Sequence, residues 1–219
     1  MFSLFSNPLQ ILVMAVGLLL GIGVHECAHA WAANELGDPT ARYQGRLSLN
    51  PLVHLDPMGT LMMLFSIFYG FGIGWGKPVP VNPWNLRHGR VGQGMVALAG
   101  PASNLILAAI LALPLRLDWL GGGLVATAWL TVISVNVGLA LFNLLPVAPL
   151  DGAAVLKGIF SAVRQPWAYE CVRAMERLES QTPMLFMVLI LADQMLGGRV
   201  LGFALRGPYV LIMKSLVGT

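Results

Sequence analysis

Two histidines and a glutamate lie near the end of a long apolar segment, and this combination constrains the chain more than any other feature. The segment begins at Pro8 and leads into the pentapeptide HECAH at residues 25–29. On a helix, His25 and His29 share one face because they are four positions apart, and Glu26 lies beside them. Ionisable groups at membrane depth are costly and are therefore candidates for function. The sequence predicts a metal site inside a membrane-spanning helix.

The composition agrees with a membrane setting. Hydrophobic residues make up 57% of the 219 residues and charged residues only 11%, and the mean hydropathy is +0.74. Soluble domains carry about 25% charged residues. The net charge of +3 is small and the basic residues are scattered between the apolar segments, which argues against nucleic acid as a partner. Cys27 and Cys171 are too few for a disulfide framework. We expect one compact multi-pass membrane domain.

The apolar runs predict an all-α polytopic membrane protein with a small β or re-entrant element after the first helix. Spanning helices are expected at about residues 8–34, 91–113 and 124–146. They form a three-helix core within residues 1–165, in which residues 40–90 contain the β or re-entrant element.

The region between the first two predicted spans is less regular. Alternating side chains over residues 41–49 favour short strands. The glycine-interrupted apolar run 61–75 is shorter than the roughly 20 residues that a span needs, so it suits a re-entrant or interfacial segment, and a full span is the alternative. Beyond the core, residues 166–182 predict an amphipathic cytoplasmic helix. Residues 183–219 predict C-terminal membrane segments, either one broken span or two short ones.

A catalytic zinc site usually has three protein ligands and a water, so two histidines leave the predicted site incomplete. The candidates for a third ligand near membrane depth are His54, Asp56, His88, Asp118, Asp151 and Asp193. Asp151 is the best of them, because Pro146 and Pro149 break the preceding helix and broken helices are tolerated where they line a site. The alternative for Asp151 is a helix N-cap.

At these residues the chain resembles the site-2 protease family, the zinc metalloproteases that cut proteins inside membranes. The resemblance is carried by the HExxH motif at residues 25–29, by Gly100-Pro101-Ala-Ser-Asn104, and by Asn143-x-x-Pro146-x-x-x-x-Asp151-Gly152. It covers roughly residues 8–165 and implies a compact member without a PDZ or CBS domain.

The resemblance implies one Zn²⁺ per chain, with His25, His29 and Asp151 as ligands. It also implies Glu26 as general base and Asn143 as a candidate oxyanion donor. The implied activity is that of an intramembrane endopeptidase, which cleaves single-pass membrane proteins in a lipid bilayer. The alternative from another class is a zinc-binding membrane scaffold or transporter without protease activity. For Asn143, as for Asn104, interhelical hydrogen bonding is an equal alternative.

Topology and charge suggest an orientation. Both predicted ligand elements lie at C-terminal helix ends, so the helices at 8–34 and 124–146 must run parallel to reach one metal ion. This requires that residues 61–75 do not cross. Nine basic residues then lie on the side of the site: Arg42, Arg46, Lys77, Arg87, Arg90, Lys157, Arg164, Arg173 and Arg177, against Arg116 opposite. By the positive-inside rule, the site opens toward the cytoplasm of a bacterial or archaeal cell.

A helical substrate hides its carbonyl groups in hydrogen bonds, so it must unwind and pair with an extended edge. Residues 77–83 are one candidate edge, because a residue that precedes a proline is extended. The strands expected over 41–49 are favoured, because proline removes a hydrogen-bond donor from an edge. Gly45, Arg46 and Leu47 are therefore predicted to contact the substrate, together with Asn104.

Overall fold

The computed structural model describes residues 8–62, 75–179, 181–195 and 197–218, and within them it consists of helices and loops without a strand. Besides the helical residues 57–62, the helices are, in chain order, α1 (Pro8–Glu35), α2 (Thr40–Tyr43), α3 (Arg90–Arg116), α4 (Leu124–Asn143), α5 (Asp151–Val163), α6 (Pro166–Glu179), α7 (Thr182–Met195) and α8 (Arg199–Val217). A 3-10 helix covers Pro51–His54. Helices α1, α3, α4 and α8 are long and apolar enough to cross a membrane. The predicted all-α polytopic class is confirmed.

The three predicted spans correspond to α1, α3 and α4. Helix α1 ends at Glu35 and is followed by Gly37, whose φ of +103° is incompatible with a continuing helix. Helix α4 ends at Asn143 and not at residue 146. A proline at position 146 has no N–H for the carbonyl four residues earlier and disfavours helical backbone in the residue before it.

The strands predicted over residues 41–49 are wrong, because a side chain starts a helical turn there. Asp38 Oδ1 accepts hydrogen bonds from the backbone N and the hydroxyl of Thr40, at 3.2 and 2.5 Å, and α2 begins at that residue. Such local bonds from aspartate compete with extended structure. Gly45, with a φ of +70°, follows the turn.

Of the predicted re-entrant run 61–75, residues 63–74 lie outside the described residues. The residues on either side of it meet, since Leu55 and Gly76 form an antiparallel bridge and Lys77 N donates to His54 O at 2.7 Å. Further on, Arg87 N donates to Leu36 O at 2.8 Å. Helix α3 therefore begins next to the C-terminal end of α1.

Helix α3 runs antiparallel to both α1 and α4, because residue numbers rise on one helix as they fall on its neighbour. The contacts are His29–Val96 and His25–Asn104 between α1 and α3, and Asn104–Asn136 and Leu111–Trp129 between α3 and α4. Helices α1 and α4 are consequently parallel, which is the arrangement that the sequence requires for one shared site at their C-terminal ends.

Close helix contact fixes α5 against this three-helix unit. A Cβ on Gly94 of α3 would lie 3.0 Å from the Cα of Gly158 in α5, and a Cβ on Gly158 would lie 2.9 Å from the Cα of Gly94. Small residues let membrane helices approach this closely. The contact holds α5, and with it Asp151 at its first position, beside α3.

The C-terminal part contains two helices, α7 and α8, of which α8 is long and apolar enough to cross a membrane. Helix α7 has 14 residues, fewer than the roughly 20 that a span needs. The buried Asp193 in α7 accepts a 2.7 Å hydrogen bond from Val200 N and so caps the start of α8.

Ion pairs of 2.8 Å, Arg90–Glu176 and Lys157–Glu179, attach the amphipathic α6 to α3 and α5.

Candidate metal centre

Three side chains that can bind a metal converge where α1 meets the start of α5. The rings of His25 and His29 project from one face of α1, with centroids 4.6 Å apart. Asp151 Oδ2 lies 3.1 Å from His25 Nε2 and 3.4 Å from His29 Nε2. One ligand atom from each residue lies within 4.8 Å of the other two, and the described part of the chain holds no other group of three such residues.

The second ring nitrogen of each histidine is held by an oxygen. His25 Nδ1 donates to Asn104 Oδ1 at 2.6 Å, and His29 Nδ1 donates to the carbonyl oxygen of Val96 at 2.8 Å. A carbonyl oxygen can only accept, so Nδ1 carries the hydrogen in both rings. In the neutral imidazoles, both Nε2 atoms therefore present lone pairs toward Asp151.

This donor set fits zinc. Among the described residues, the buried Asp151 Oδ2 has no hydrogen-bond partner, because the two Nε2 atoms facing it carry no hydrogen in the neutral imidazoles. Three lone pairs directed at one point repel each other unless a cation lies between them. Two imidazoles and one carboxylate, with a fourth position left for water, are the usual protein ligands of catalytic zinc. Histidines whose Nδ1 bonds to an oxygen are typical of such sites.

Asp151 reaches the histidines because α4 stops before Pro146 and Pro149. The chain turns there, and α5 starts with Asp151 at its first helical position. Leu150, and not Asp151, occupies the N-cap position of this helix, so Asp151 does not fill the N-cap role that was its alternative. Gly152 must be small here, because a Cβ would lie 2.3 Å from the carbonyl oxygens of residues 144 and 145.

Gly100 gives the two imidazoles their space. A Cβ at this position of α3 would lie 2.4 Å from His29 Nε2 and 2.7 Å from His25 Cε1. Real Cβ atoms do not approach this closely, so any other residue would push the rings away from Asp151. The Gly100-Pro101 motif therefore acts through close packing beside the candidate ligands.

A cavity of about 760 Å³ opens on this group. Its wall contains His25, His29 and Asp151 together with Glu26 and Asn143. Among the described residues, no hydrogen bond or ion pair engages the Glu26 carboxylate. Asn143 Nδ2 donates to Leu139 O at 3.0 Å, a bond within its own helix. A larger cavity, of about 1140 Å³, lies between α4 and α8 and touches none of the candidate site residues.

One side of the cavity is formed by residues of the stretch 75–83, which Asp38 attaches to the end of α1. Asp38 Oδ2 accepts from Asn82 N at 2.6 Å, and Oδ1 accepts from Asn85 Nδ2 at 3.1 Å. Burial raises the pKa of Asp38, but the hydrogen bonds from Thr40, Asn82 and Asn85 lower it by more, below its usual range. The ionised carboxylate thus holds this wall in place at neutral pH.

The predicted substrate contacts Gly45, Arg46 and Leu47 do not lie at the cavity. Arg46 is buried, and its guanidinium donates to the carbonyl oxygen of Val53. His54 is fully buried too, and its Nε2 donates to Ser48 O at 2.8 Å. These bonds hold the loop in shape, and contact of this segment with the substrate stays a prediction from the sequence.

The large apolar side chains of the same loop point outward. Leu49 and Leu52 are each 70% exposed, and Pro51 lies against Gly23 of α1. Polar groups inside and apolar groups outside are what a segment needs where it meets lipid.

Asn104, also a predicted substrate contact, is fully buried. Its side chain is held by His25, Gly21 and Asn136, so it belongs to the interhelical hydrogen bonds that were its alternative. Asn136 was not singled out by the sequence analysis. The available signal was an amide side chain within the apolar helix α4, where polar residues need partners on neighbouring helices.

Comparison with known proteins finds one matching family and named relatives. The model of peptidase family M50 matches residues 120–190. The chain is 40% identical over 161 residues to the Bacillus subtilis (strain 168) protein named "Putative zinc metalloprotease YwhC", which covers 69% of this chain and 71% of that protein. It is 34% identical over 158 residues to "Putative zinc metalloprotease Rip2" of Mycobacterium tuberculosis, covering 67% of this chain and 57% of that relative. No solved structure matches the chain.

Proposed function

This chain belongs to peptidase family M50, the site-2 protease family, and on that premise we propose that His25, His29 and Asp151 hold its zinc ion and that Glu26 is its general base. The observation that carries the proposal is the set of three ligand atoms within 4.8 Å of one another, facing the cavity that also contains Glu26. The protein is a zinc-dependent intramembrane protease and a multi-pass membrane protein.

The residues around the cavity have different roles in peptide hydrolysis. Zinc, when bound, supplies Lewis acidity, which polarises a carbonyl group and lowers the pKa of a coordinated water to about 7. Glu26 takes the proton of the attacking water and delivers it to the leaving amine. Asn143 has a second amide hydrogen beyond the one that Leu139 O accepts. This hydrogen is the donor for the negative charge that develops on the substrate oxygen.

The depth of the centre supports membrane proteins as substrates. His25 precedes Glu35, the last residue of α1, by ten positions, which is roughly 15 Å along the helix at 1.5 Å per residue. The hydrocarbon core of a bilayer is about 30 Å thick. A bond cleaved at this level lies within a transmembrane segment, as in the single-pass proteins that we propose as substrates.

The extended stretch after residue 75 is the candidate edge for an unwound substrate. Gly76, Pro78 and Val79 line the cavity, and a Cβ on Gly76 would lie 3.6 Å from Glu26 Oε1. Pro78 has no N–H, but its carbonyl oxygen can accept a hydrogen bond from an extended peptide. With the strands over 41–49 absent, this stretch replaces them in the proposal.

Removal of the metal tests the proposed function. We expect the purified full-length protein in lipid vesicles to cleave a model single-pass substrate. A zinc chelator should reduce cleavage to background, and added Zn²⁺ should restore it. The measurement is the amount of cleaved substrate on a gel, with a soluble peptide of the same sequence as the comparison. Cleavage that is unaffected by full removal of zinc would refute the proposal.

We further propose that the centre faces the cytoplasm. Arg42 follows α1, and Arg87 and Arg90 lie at the start of α3, which meets the C-terminal end of α1. The elements that follow α4 carry four more basic residues, Lys157, Arg164, Arg173 and Arg177. Arg116, at the C-terminal end of α3, lies at the opposite end. In cells, a membrane-impermeant thiol reagent should label Arg116→Cys but not Arg42→Cys, in a background whose native cysteines are replaced. Labelling of Arg42→Cys from outside would reverse the orientation.

A further inference from the structure

A chain of directed hydrogen bonds leads from α4 to the candidate ligand His25. Asn104 Nδ2 donates to Asn136 Oδ1 and to Gly21 O, both at 3.0 Å, while Asn104 Oδ1 accepts from His25 Nδ1 at 2.6 Å. Asn136 Nδ2 donates to Val132 O at 2.9 Å. His25 is 7% exposed, and both asparagines are fully buried.

The donor and the acceptor of every hydrogen bond in this series can be assigned. Val132 O can only accept, so the amide nitrogen of Asn136 faces it and Asn136 Oδ1 faces Asn104. Two oxygens, Asn136 Oδ1 and Gly21 O, then face the amide nitrogen of Asn104 and use both of its hydrogens. Asn104 must therefore turn its oxygen toward His25, which fixes the hydrogen on Nδ1 and, in the neutral ring, leaves the lone pair on Nε2.

The network is also closely packed against α1. A Cβ on Gly21 of α1 would lie 3.0 Å from Asn136 Oδ1 and 2.7 Å from Leu139 Cδ1. The two amides are thus packed between α1 and α4, where water does not reach them. A buried polar network of this kind is rigid when all of its members are satisfied.

We propose that Asn136 is a positioning residue for His25, acting through Asn104. Asn136 lies two turns before Asn143 on α4 and is not among the described residues of the cavity wall. Its hydrogen bonds among these residues connect it to the metal centre through Asn104. Outer-shell partners of histidine ligands typically change metal affinity about 10–100-fold. The inference rests on His25 being a zinc ligand, as proposed above.

A merely structural role for Asn136 makes a different prediction. Polar bonds between membrane helices stabilise the fold, whether or not metal is present. Loss of such a bond would lower the melting temperature of the metal-free and zinc-loaded proteins equally and leave the zinc affinity unchanged. A positioning role lowers the zinc affinity, and it reduces the increase in melting temperature that zinc causes.

The test uses the full-length protein in detergent and compares four variants with the wild type. Asn136→Leu and Asn136→Ser both remove the bond to Asn104, and serine keeps a hydroxyl for Val132 O. Asn136→Asp, protonated in this apolar site, keeps an acceptor and a donor in the same shape. Thr131→Val is the control, because within the described part of the chain the Thr131 hydroxyl bonds to Thr127 O of its own helix and to no other group. Zinc affinity is measured by competition with a chromogenic chelator, and melting temperature with and without zinc.

We expect Asn136→Leu and Asn136→Ser to raise the zinc Kd about tenfold, the lower end of the range for outer-shell partners. Asn136→Asp should restore most of the affinity, and Thr131→Val should match the wild type. An unchanged Kd in whichever of the leucine and serine variants folds would overturn the inference and leave the proposed function intact. A wild-type protein that binds no zinc would overturn both.

Discussion

Glu26→Gln abolishes proteolysis and leaves zinc bound, if the assignment of the general base is correct. Glutamine has the shape of glutamate but cannot accept the proton of the attacking water. General-base catalysis contributes about 10²–10⁴-fold to rate, so the residual rate should be near the detection limit. Zinc content should equal that of the wild type, because Glu26 does not belong to the three-residue ligand group. The measurements are the cleavage rate of a single-pass substrate and the zinc content of the same preparation.

The matched control for this result is Glu35→Gln. It is the same change on the same helix, at an exposed position outside the cavity wall, and it should leave the rate unchanged. Loss of zinc together with activity in Glu26→Gln would instead assign Glu26 to the metal. An active Glu26→Gln enzyme would leave the protein without an identified base.

The candidate ligands could be predicted because their signals are local. Two histidines four positions apart share a helix face wherever that helix lies, and His25 and His29 do so in α1. Asp151 required one more step, since two prolines mark the end of the helix before it. The parallel arrangement of α1 and α4 then follows from the demand that the three side chains meet.

The region after α1 could not be predicted from alternation of side chains. The pattern over residues 41–49 favours strands, but Asp38 bonds to Thr40 and starts a helical turn. Arg46 is charged, so the sequence favours an exposed side chain. Only the folded loop shows that its charge is buried against the Val53 carbonyl group. Both bonds join residues that are close in sequence, but alternation of side chains does not reveal which side chain will bond to the backbone, and such bonds override strand propensity.

The asparagines show the same limit within the membrane. Asn104 lies in a motif of the family resemblance, yet its side chain faces His25 and Asn136 and not the cavity. In a helix, a polar residue reports that a partner exists but not which helix supplies it. Three helices contribute to this network, so its chemistry emerges only once α1, α3 and α4 are packed together.

Asp151→Asn should remove most of the stabilisation that zinc gives to this protein. Asparagine keeps the shape of the side chain but loses the negative charge. We expect a loss of zinc affinity beyond the about 10–100-fold typical of outer-shell changes. At a free zinc concentration 1,000 times the wild-type Kd, binding stabilises the folded state by about 4 kcal/mol, and a 100-fold weaker Kd leaves about 1.4 kcal/mol. The melting temperature with and without zinc measures this difference.

The matched control is Asp118→Asn, because Asp118 is exposed at the opposite end of α3 and asparagine tolerates its φ of +54°. Its response to zinc should equal that of the wild type. In Asp151→Asn, activity should fall together with the zinc response, because the same carboxylate completes the ligand set. A variant that loses activity but keeps the full zinc response would show that Asp151 acts on the substrate. The third ligand would then have to be sought outside the group formed with His25 and His29, and a variant that keeps both properties would exclude Asp151 from the centre altogether.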